Sequence, residues 1–316
     1  MSELRAGPVR VTAPATSANL GPGFDALGLA LGLYDEVVAE VAGDGVSVTV
    51  AGEGAGDLPS DETHLVARCL LTTLERLGAR PAGITLTCRN SIPQARGLGS
   101  SSAAIVAGIL AARALVVDGA RRLPDVEVLR LASEIEGHPD NVAPCLLGGL
   151  TIAWIEEDGA RAVRLSPSAS VEPVLLVPEG RGLTAHARAA LPSSVPHRDA
   201  AFNAGRAALL VPALTEAPEL LLAATEDRLH QDYRAVGMPA TAALVDRLRR
   251  AGIPAVVSGA GPSVLAFRGK VGDSTDEIPV TEGWRVLTPG VDVRGATVEV
   301  DWQHAERDPV AAGRAS

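Results

Sequence analysis

The segment Pro93-Gln94-Ala95-Arg96-Gly97-Leu98-Gly99-Ser100-Ser101-Ser102-Ala103 limits the folds open to this chain more than any other stretch. It follows an alternating apolar run, Ile84, Leu86 and Cys88, that reads as a strand. It leads into residues 104–113, where Ile105, Val106, Ile109 and Leu110 recur at helical spacing. Strand, glycine-rich turn, serine cluster and helix start therefore come in that order. Gly97 and Gly99 can take backbone angles that side chains resist, which lets main-chain amides approach an anion. The unpaired amides of a helix's first turn, with the positive end of its dipole, suit a phosphate. The three serines add hydroxyls for phosphate oxygens or a metal ion. A Gly/Ser turn with an N-capped helix is the plainer reading of such a loop. A serine hydrolase is a rival, because Gly99-x-Ser101-x-Ala103 loosely matches a nucleophile elbow. That elbow needs a strand running directly into its serine, and here Pro93 and Gly97 break the chain first.

Composition narrows the chemistry further. A chain of 316 residues can bury a substantial core in one large or two moderate domains. It is 47% hydrophobic but only 3% aromatic, so the core is expected to be Ala, Val and Leu. A net charge of −10 argues against a nucleic-acid or anionic-membrane surface. The longest apolar run is cut by Arg113 and is too short to span a bilayer, and the first residues carry no secretory apolar region. Cys69, Cys88 and Cys145 stand apart, without the pairing of a zinc site, and are expected as buried thiols. The expectation is a cytoplasmic protein. Of the 28 basic residues only Lys270 is a lysine, in a Gly/Asp/Ser-rich stretch that reads as a surface loop. A Walker loop, a protein kinase and a Schiff base each need a placed lysine. Phosphate handling here must then rest on backbone amides, arginine and a metal ion.

Along the chain, residues 9–13 alternate as a strand and enter a polar, glycine-rich loop at 14–25. Strands are expected at 37–41 and around Val46, Val48 and Val50, and an amphipathic helix over 63–77, stopped by Gly78. A helix over 125–136 precedes a His138 segment, and strands near 151–155 and 162–165 lead to a linker at 166–170. The second half reads as strands at 174–177, 255–258, 263–267, 285–287 and 297–301, with helices at 184–190, 200–210, 218–225 and 240–251. This is an α+β order. Two domains are expected, 1–167 and 168–303, with 304–316 a flexible tail.

Residues 14–25, residues 93–103 and Ser258-Gly259-Ala260-Gly261-Pro262-Ser263 resemble, in that order, the three motifs of the GHMP kinases. These are small-molecule kinases named for galactose, homoserine, mevalonate and phosphomevalonate. The resemblance covers nearly the whole chain and thins after residue 270. Thr16-Ser17-Ala18-Asn19-Leu20-Gly21-Pro22-Gly23-Phe24-Asp25 and His138-Pro139-Asp140-Asn141-Val142-Ala143-Pro144 are similar to segments of the members that act on homoserine. The resemblance implies an N-terminal α+β domain with a left-handed βαβ unit and a C-terminal ferredoxin-like domain. It implies Mg²⁺-dependent transfer of a phosphoryl group from ATP to the L-homoserine hydroxyl, giving O-phospho-L-homoserine and ADP in threonine biosynthesis. A homodimer is compatible with it. A kinase for another small alcohol and a catalytically silent nucleotide sensor of the same fold are the alternatives.

Residue roles follow from that resemblance. Pro93, Arg96, Gly97, Leu98, Gly99, Ser100, Ser101, Ser102 and Ala103 are implied to wrap the ATP phosphates. Ser101 (or Ser100) and Glu134 are implied to hold Mg²⁺, Glu134 being preferred to nearby Glu136. Arg188 and Arg234 would take the substrate carboxylate, since a guanidinium offers two coplanar donors. Asn19 and Asp25 would accept from its ammonium, with His138 a further contact and Gly259 and Gly261 closing over the substrate. Asn141 would orient the hydroxyl, its proton passing to Asp140 or to the phosphate. His64 stands where many relatives carry an adenine-binding Asn.

Overall fold

A computed structural model describes residues 2–182, 184–268 and 282–300; Lys270 and the expected tail lie outside them. The chain begins β1 (Val9–Ala18), β2 (Leu27–Glu40), β3 (Gly45–Gly52), α1 (Leu65–Arg76), β4 (Gly83–Asn90) and α2 (Ser100–Leu115). It continues through the short α3 (Gly119–Arg122), α4 (Asp125–Glu136), α5 (Pro139–Leu147), β5 (Leu150–Glu156) and β6 (Gly159–Leu165). There follow β7 (Glu172–Pro178), α6 (Thr184–Ala189), α7 (His197–Thr215), α8 (Leu221–Ala224), α9 (Gln231–Arg234) and α10 (Pro239–Arg250). The last strands are β8 (Ala255–Val257), β9 (Val264–Arg268), β10 (Trp284–Leu287) and β11 (Thr297–Val300).

Period-two burial sets the first strand: Val9, Val11 and Ala13 are fully buried and alternate with half-exposed neighbours. The strand does not stop there. Residues 14–18, expected as loop, continue β1 and are buried. Pro14 is tolerated because the register against β2 shifts between Pro14 and Ala15, a bulge that spares the missing N–H. The glycine-rich loop is therefore shorter than expected and begins at Asn19.

The larger sheet runs β11-β1-β2-β4-β3, with β5 paired to β2 and β6 to β5. β3 and β4 are parallel and joined through α1, while the other pairs are antiparallel. A four-stranded antiparallel sheet, β10-β7-β9-β8, forms the second unit. One placement differs from expectation. Residues 297–300 leave the second half and pair with β1, with Val298 packed on the first core.

α2 is the centre of that core. Ala-rich and almost wholly buried from Ser102 to Ala112, it lies against β1, β2, α1, α4 and α5. Small residues allow the close approach: a Cβ on Gly108 would meet Val66 O at 2.6 Å, and one on Gly28 would meet Asp140 O at 2.0 Å. The second core packs Val174, Leu176, Val264 and Ala266 under Leu244 and Leu248 of α10. All three cysteines are buried and unpaired, and burial pushes the Cys69 thiol up to about 11 and Cys88 to about 12. No helix among the described residues is long and apolar enough to cross a membrane.

The Gly28 contact gives a test, because Gly28→Ala leaves the strand backbone unstrained yet forces β2 and α5 apart. Urea unfolding should show a loss of about 1–3 kcal/mol. An unchanged midpoint would contradict this packing.

Candidate active site

Three loops converge where the two sheets meet. The first, between β1 and β2, holds Asn19 (φ 69°), Leu20 (φ 48°) and Asp25 (φ 55°) in the left-handed region, a strain that non-glycine residues keep only where the surroundings fix them. The second is the turn before α2, and the third runs from β8 to β9. Each of their joints ends on a backbone carbonyl. Gly259 N donates to Ala18 O (3.1 Å), Asn19 Nδ2 donates to Gly259 O (2.9 Å), and Ser258 Oγ donates to Gly97 O (2.7 Å). Gly97 has no room for a side chain, since a Cβ would sit 2.1 Å from Ser258 O. Gly99 would likewise strike Thr16 Oγ1 at 1.9 Å.

The resulting cleft is lined by residues 95–101, by Glu136, His138, Asp140 and Asn141, and by Asn19, Arg188, Arg234, Gly259 and Ala260. Gly99 caps α2 in the left-handed conformation without any side-chain cap, so the first-turn amides stay free for an anion.

Several expected site residues are placed differently. Glu134 is exposed on α4, and the carboxylate that reaches the serine loop is Glu136. Glu136 Oε1 accepts from Ser101 Oγ (2.8 Å) and Ser102 Oγ (2.9 Å). Arg96 spends its guanidinium on carbonyls, donating to Pro178 O (2.9 Å), Gln94 O (3.0 Å) and Glu179 O (2.7 Å). It ties the loop to the end of β7 instead of offering its charge to a phosphate. Pro93, Leu98 and Ala103 are buried, with Leu98 in the cleft wall. Gly261 packs away from the cleft, where a Cβ would meet Met238 Sδ at 2.7 Å. Ser100 keeps the expected place in the cleft wall.

His64 lies in an adjoining cavity of about 330 Å³ that shares Ser100 and Ser101 with the cleft. It caps α1, its Nδ1 accepting from Val66 N (3.3 Å), while its buried Nε2 has no partner among the described residues. Burial pushes its pKa down, so the ring is neutral. Asp35, absent from the sequence reading, shares this wall; burial pushes its carboxyl up to about 6 although the Ser91 and Ile92 amides both donate to Oδ1.

At the other end, Arg188 and Asp25 form a two-pronged ion pair, Nη1–Oδ2 3.0 Å and Nη2–Oδ1 2.7 Å, both side chains 37% exposed. Arg234 is buried, and its guanidinium donates to Ala187 O (3.1 Å) and Gly259 O (3.3 Å). Phe24 lies beneath both cations, 5.2 Å from Arg234 Cζ and 5.8 Å from Arg188 Cζ. Nothing in its spacing distinguished this ring beforehand.

At the start of α5, His138 Nδ1 stands 2.6 Å from Asp140 Oδ1. Burial disfavours the charged imidazole, but the hydrogen bond and charge of Asp140 outweigh it and raise the pKa. Asn141 Oδ1 accepts from Thr16 Oγ1 (2.8 Å), which turns the amide nitrogen toward the remaining space.

These features define a small-molecule kinase cleft, and the comparisons agree. The sequence model of the GHMP kinase N-terminal domain matches residues 64–149 and that of the C-terminal domain residues 201–269. The chain belongs to the GHMP kinase family, whose members use ATP. It is 60% identical over 296 residues to the homoserine kinase of Streptomyces coelicolor, covering 93% of this chain and 95% of that one. It is 47% identical over 289 residues to that of Mycobacterium tuberculosis, covering 89% and 92%. The crystal structure of homoserine kinase from Cytophaga hutchinsonii superposes with a TM-score of 0.79 at 29% identity, over 95% of this chain and 99% of that one.

The His138–Asp140 pair has a stability sign. With the folded pKa raised, the pair's contribution is full below the unfolded value of about 6.5 and fades as pH rises through the folded pKa. In Asp140→Asn, burial and the Arg188 charge act against Glu136 alone, and the His138 ring resonance in NMR should titrate below about 6.5. A titration still above that value would remove Asp140 as the cause.

Proposed function

We propose that this chain catalyses ATP-dependent phosphorylation of the L-homoserine hydroxyl, giving O-phospho-L-homoserine and ADP. The observation that carries this is one cleft with an uncapped helix N-terminus at one end and the Asn19, Asp25, Arg188 and Arg234 group at the other. The first end suits phosphate, and the second suits a zwitterionic amino acid. The high identity to homoserine kinases supports the same substrate.

The Asp25–Arg188 pair explains the preference for a zwitterion. The substrate carboxylate replaces Asp25 on Arg188, and the ammonium takes the released Asp25 together with Asn19. A ligand lacking either charge leaves one member of a half-buried pair alone, which is costly. The first-turn amides of α2 and the Ser100–Ser102 hydroxyls receive the phosphates. The cavity beside His64 receives the base, with the bare Nε2 available to its edge.

Mg²⁺ fits the residues present: Glu136 and Ser101 are hard oxygen donors beside the phosphate loop, and a kinase Mg²⁺ takes few protein ligands. Glu136 fills the role expected of Glu134. When bound, the ion neutralises charge on the phosphates. Asn141, held by Thr16, orients the hydroxyl for in-line attack. Asp140 is committed to His138, so the hydroxyl proton passes to the transferring phosphate, a route that phosphoryl transfer tolerates.

ADP release with Mg-ATP should be selective for L-homoserine over D-homoserine, L-serine and shikimate. Glu136→Gln should lose on the order of 100-fold in kcat, whereas Glu134→Gln should stay within about twofold. Equal losses in the two variants would refute the exchange of roles, and turnover only with another alcohol would refute the substrate.

A further inference from the structure

His230 is fully buried (0% exposed) at the start of α9, next to the substrate end of the cleft. Its Nε2 lies 2.8 Å from Gly21 O and its Nδ1 3.1 Å from Arg234 Nη1. A carbonyl can only accept, and a guanidinium can only donate. Nε2 therefore carries the proton, and Nδ1 is the bare acceptor. The two partners together dictate one neutral tautomer. Burial, which lowers the imidazole pKa, favours the same state. Asp227 fixes the backbone here, its carboxylate accepting from the amides of Leu229, His230 and Gln231. Phe24 packs on the imidazole with ring centroids 5.1 Å apart, and Arg234 lies over the other reach of the same ring.

Arg234 needs such a hold. Burial and the neighbouring Arg188 both work against its charge. With Nε and Nη1 engaged by protein acceptors, Nη2 is the nitrogen left for the cleft that Arg234 lines.

We infer that His230 is a positioning residue for substrate recognition. Its Nδ1 fixes the guanidinium of Arg234, and its Nε2–H, donated to Gly21 O, sets the ring in the orientation that presents Nδ1. This rests on the reading of Arg234 as a receptor for the substrate carboxylate.

Two amide substitutions separate the two bonds. His230→Asn places an oxygen near the former Nδ1 and keeps the acceptor for Arg234 while losing the donor to Gly21. His230→Gln places an amide nitrogen near the former Nε2 and keeps that donor while losing the acceptor. Steady-state kinetics should show KM for L-homoserine raised on the order of 10- to 100-fold in His230→Gln and about threefold or less in His230→Asn. In both, kcat and KM for ATP should hold within about threefold. L-homoserinol, which lacks the carboxylate, should show the same kcat/KM in wild type and His230→Gln. Thermal melts of both variants check that the fold is retained. Equal KM increases in the two variants, or a parallel loss with L-homoserinol, would overturn the inference and leave His230 as packing. Wild-type protein that treats L-homoserine and L-homoserinol alike would instead overturn the carboxylate reading, and the inference with it.

Discussion

The contact on which the rest depends is the hydrogen-bonded seam between the loop before α2 and the loop from β8 to β9. Ser258 Oγ donates to Gly97 O and lies 2.8 Å from Ser17 Oγ, while Gly259 N donates to Ala18 O. These bonds join the two α+β units through the Ser258 hydroxyl and the Gly259 amide, so hydrogen-bond length sets the separation of the loops. Gly97 is required because any Cβ would occupy the space of Ser258 O. Each unit alone carries half of the cleft: the uncapped start of α2 belongs to the first, and Arg188 and Arg234 belong to the second. The seam makes one cleft from the two halves.

Charge in the cleft is handled without lysine among the described residues. The helix start supplies fixed amides, Arg96 serves as a structural tie, and Arg188 and Arg234 face the substrate end. Two guanidiniums over one Phe24 ring would repel each other. Asp25 on the first and the protein acceptors around the second offset that repulsion. The cost of assembling such a group is met by burial of α2, whose Ala, Ile and Val residues fill the centre of the large core.

The three loops were legible in the sequence because glycine, serine and asparagine at fixed spacing have few structural uses, and most strands and helices followed from periodicity, although the first half of β2 and the whole of α5 did not. Glu136 was legible too, had the helical phase been followed. It stands four residues after Ala132, on the stripe of α4 that buries Val128, Leu129 and Ala132, whereas Glu134 lies about 200° around the axis from it. The use of Arg96 was not legible, since its acceptors at Pro178 and Glu179 lie 82 and 83 residues away in the chain. Nor was the return of β11 to β1, which depends on long-range pairing, or the role of Phe24, one aromatic residue on a loop. The extension of β1 through Pro14 was hidden by a bulge that only the partner strand reveals.

The most direct measurement is ³¹P NMR of the products from Mg-ATP and L-homoserine. Transfer to the hydroxyl held between Asn141 and the α2 start predicts a phosphomonoester signal split by methylene protons, growing in step with ADP. ADP accompanied only by inorganic phosphate would mean that water, not the substrate hydroxyl, receives the phosphoryl group, and would contradict the assignment of the cleft.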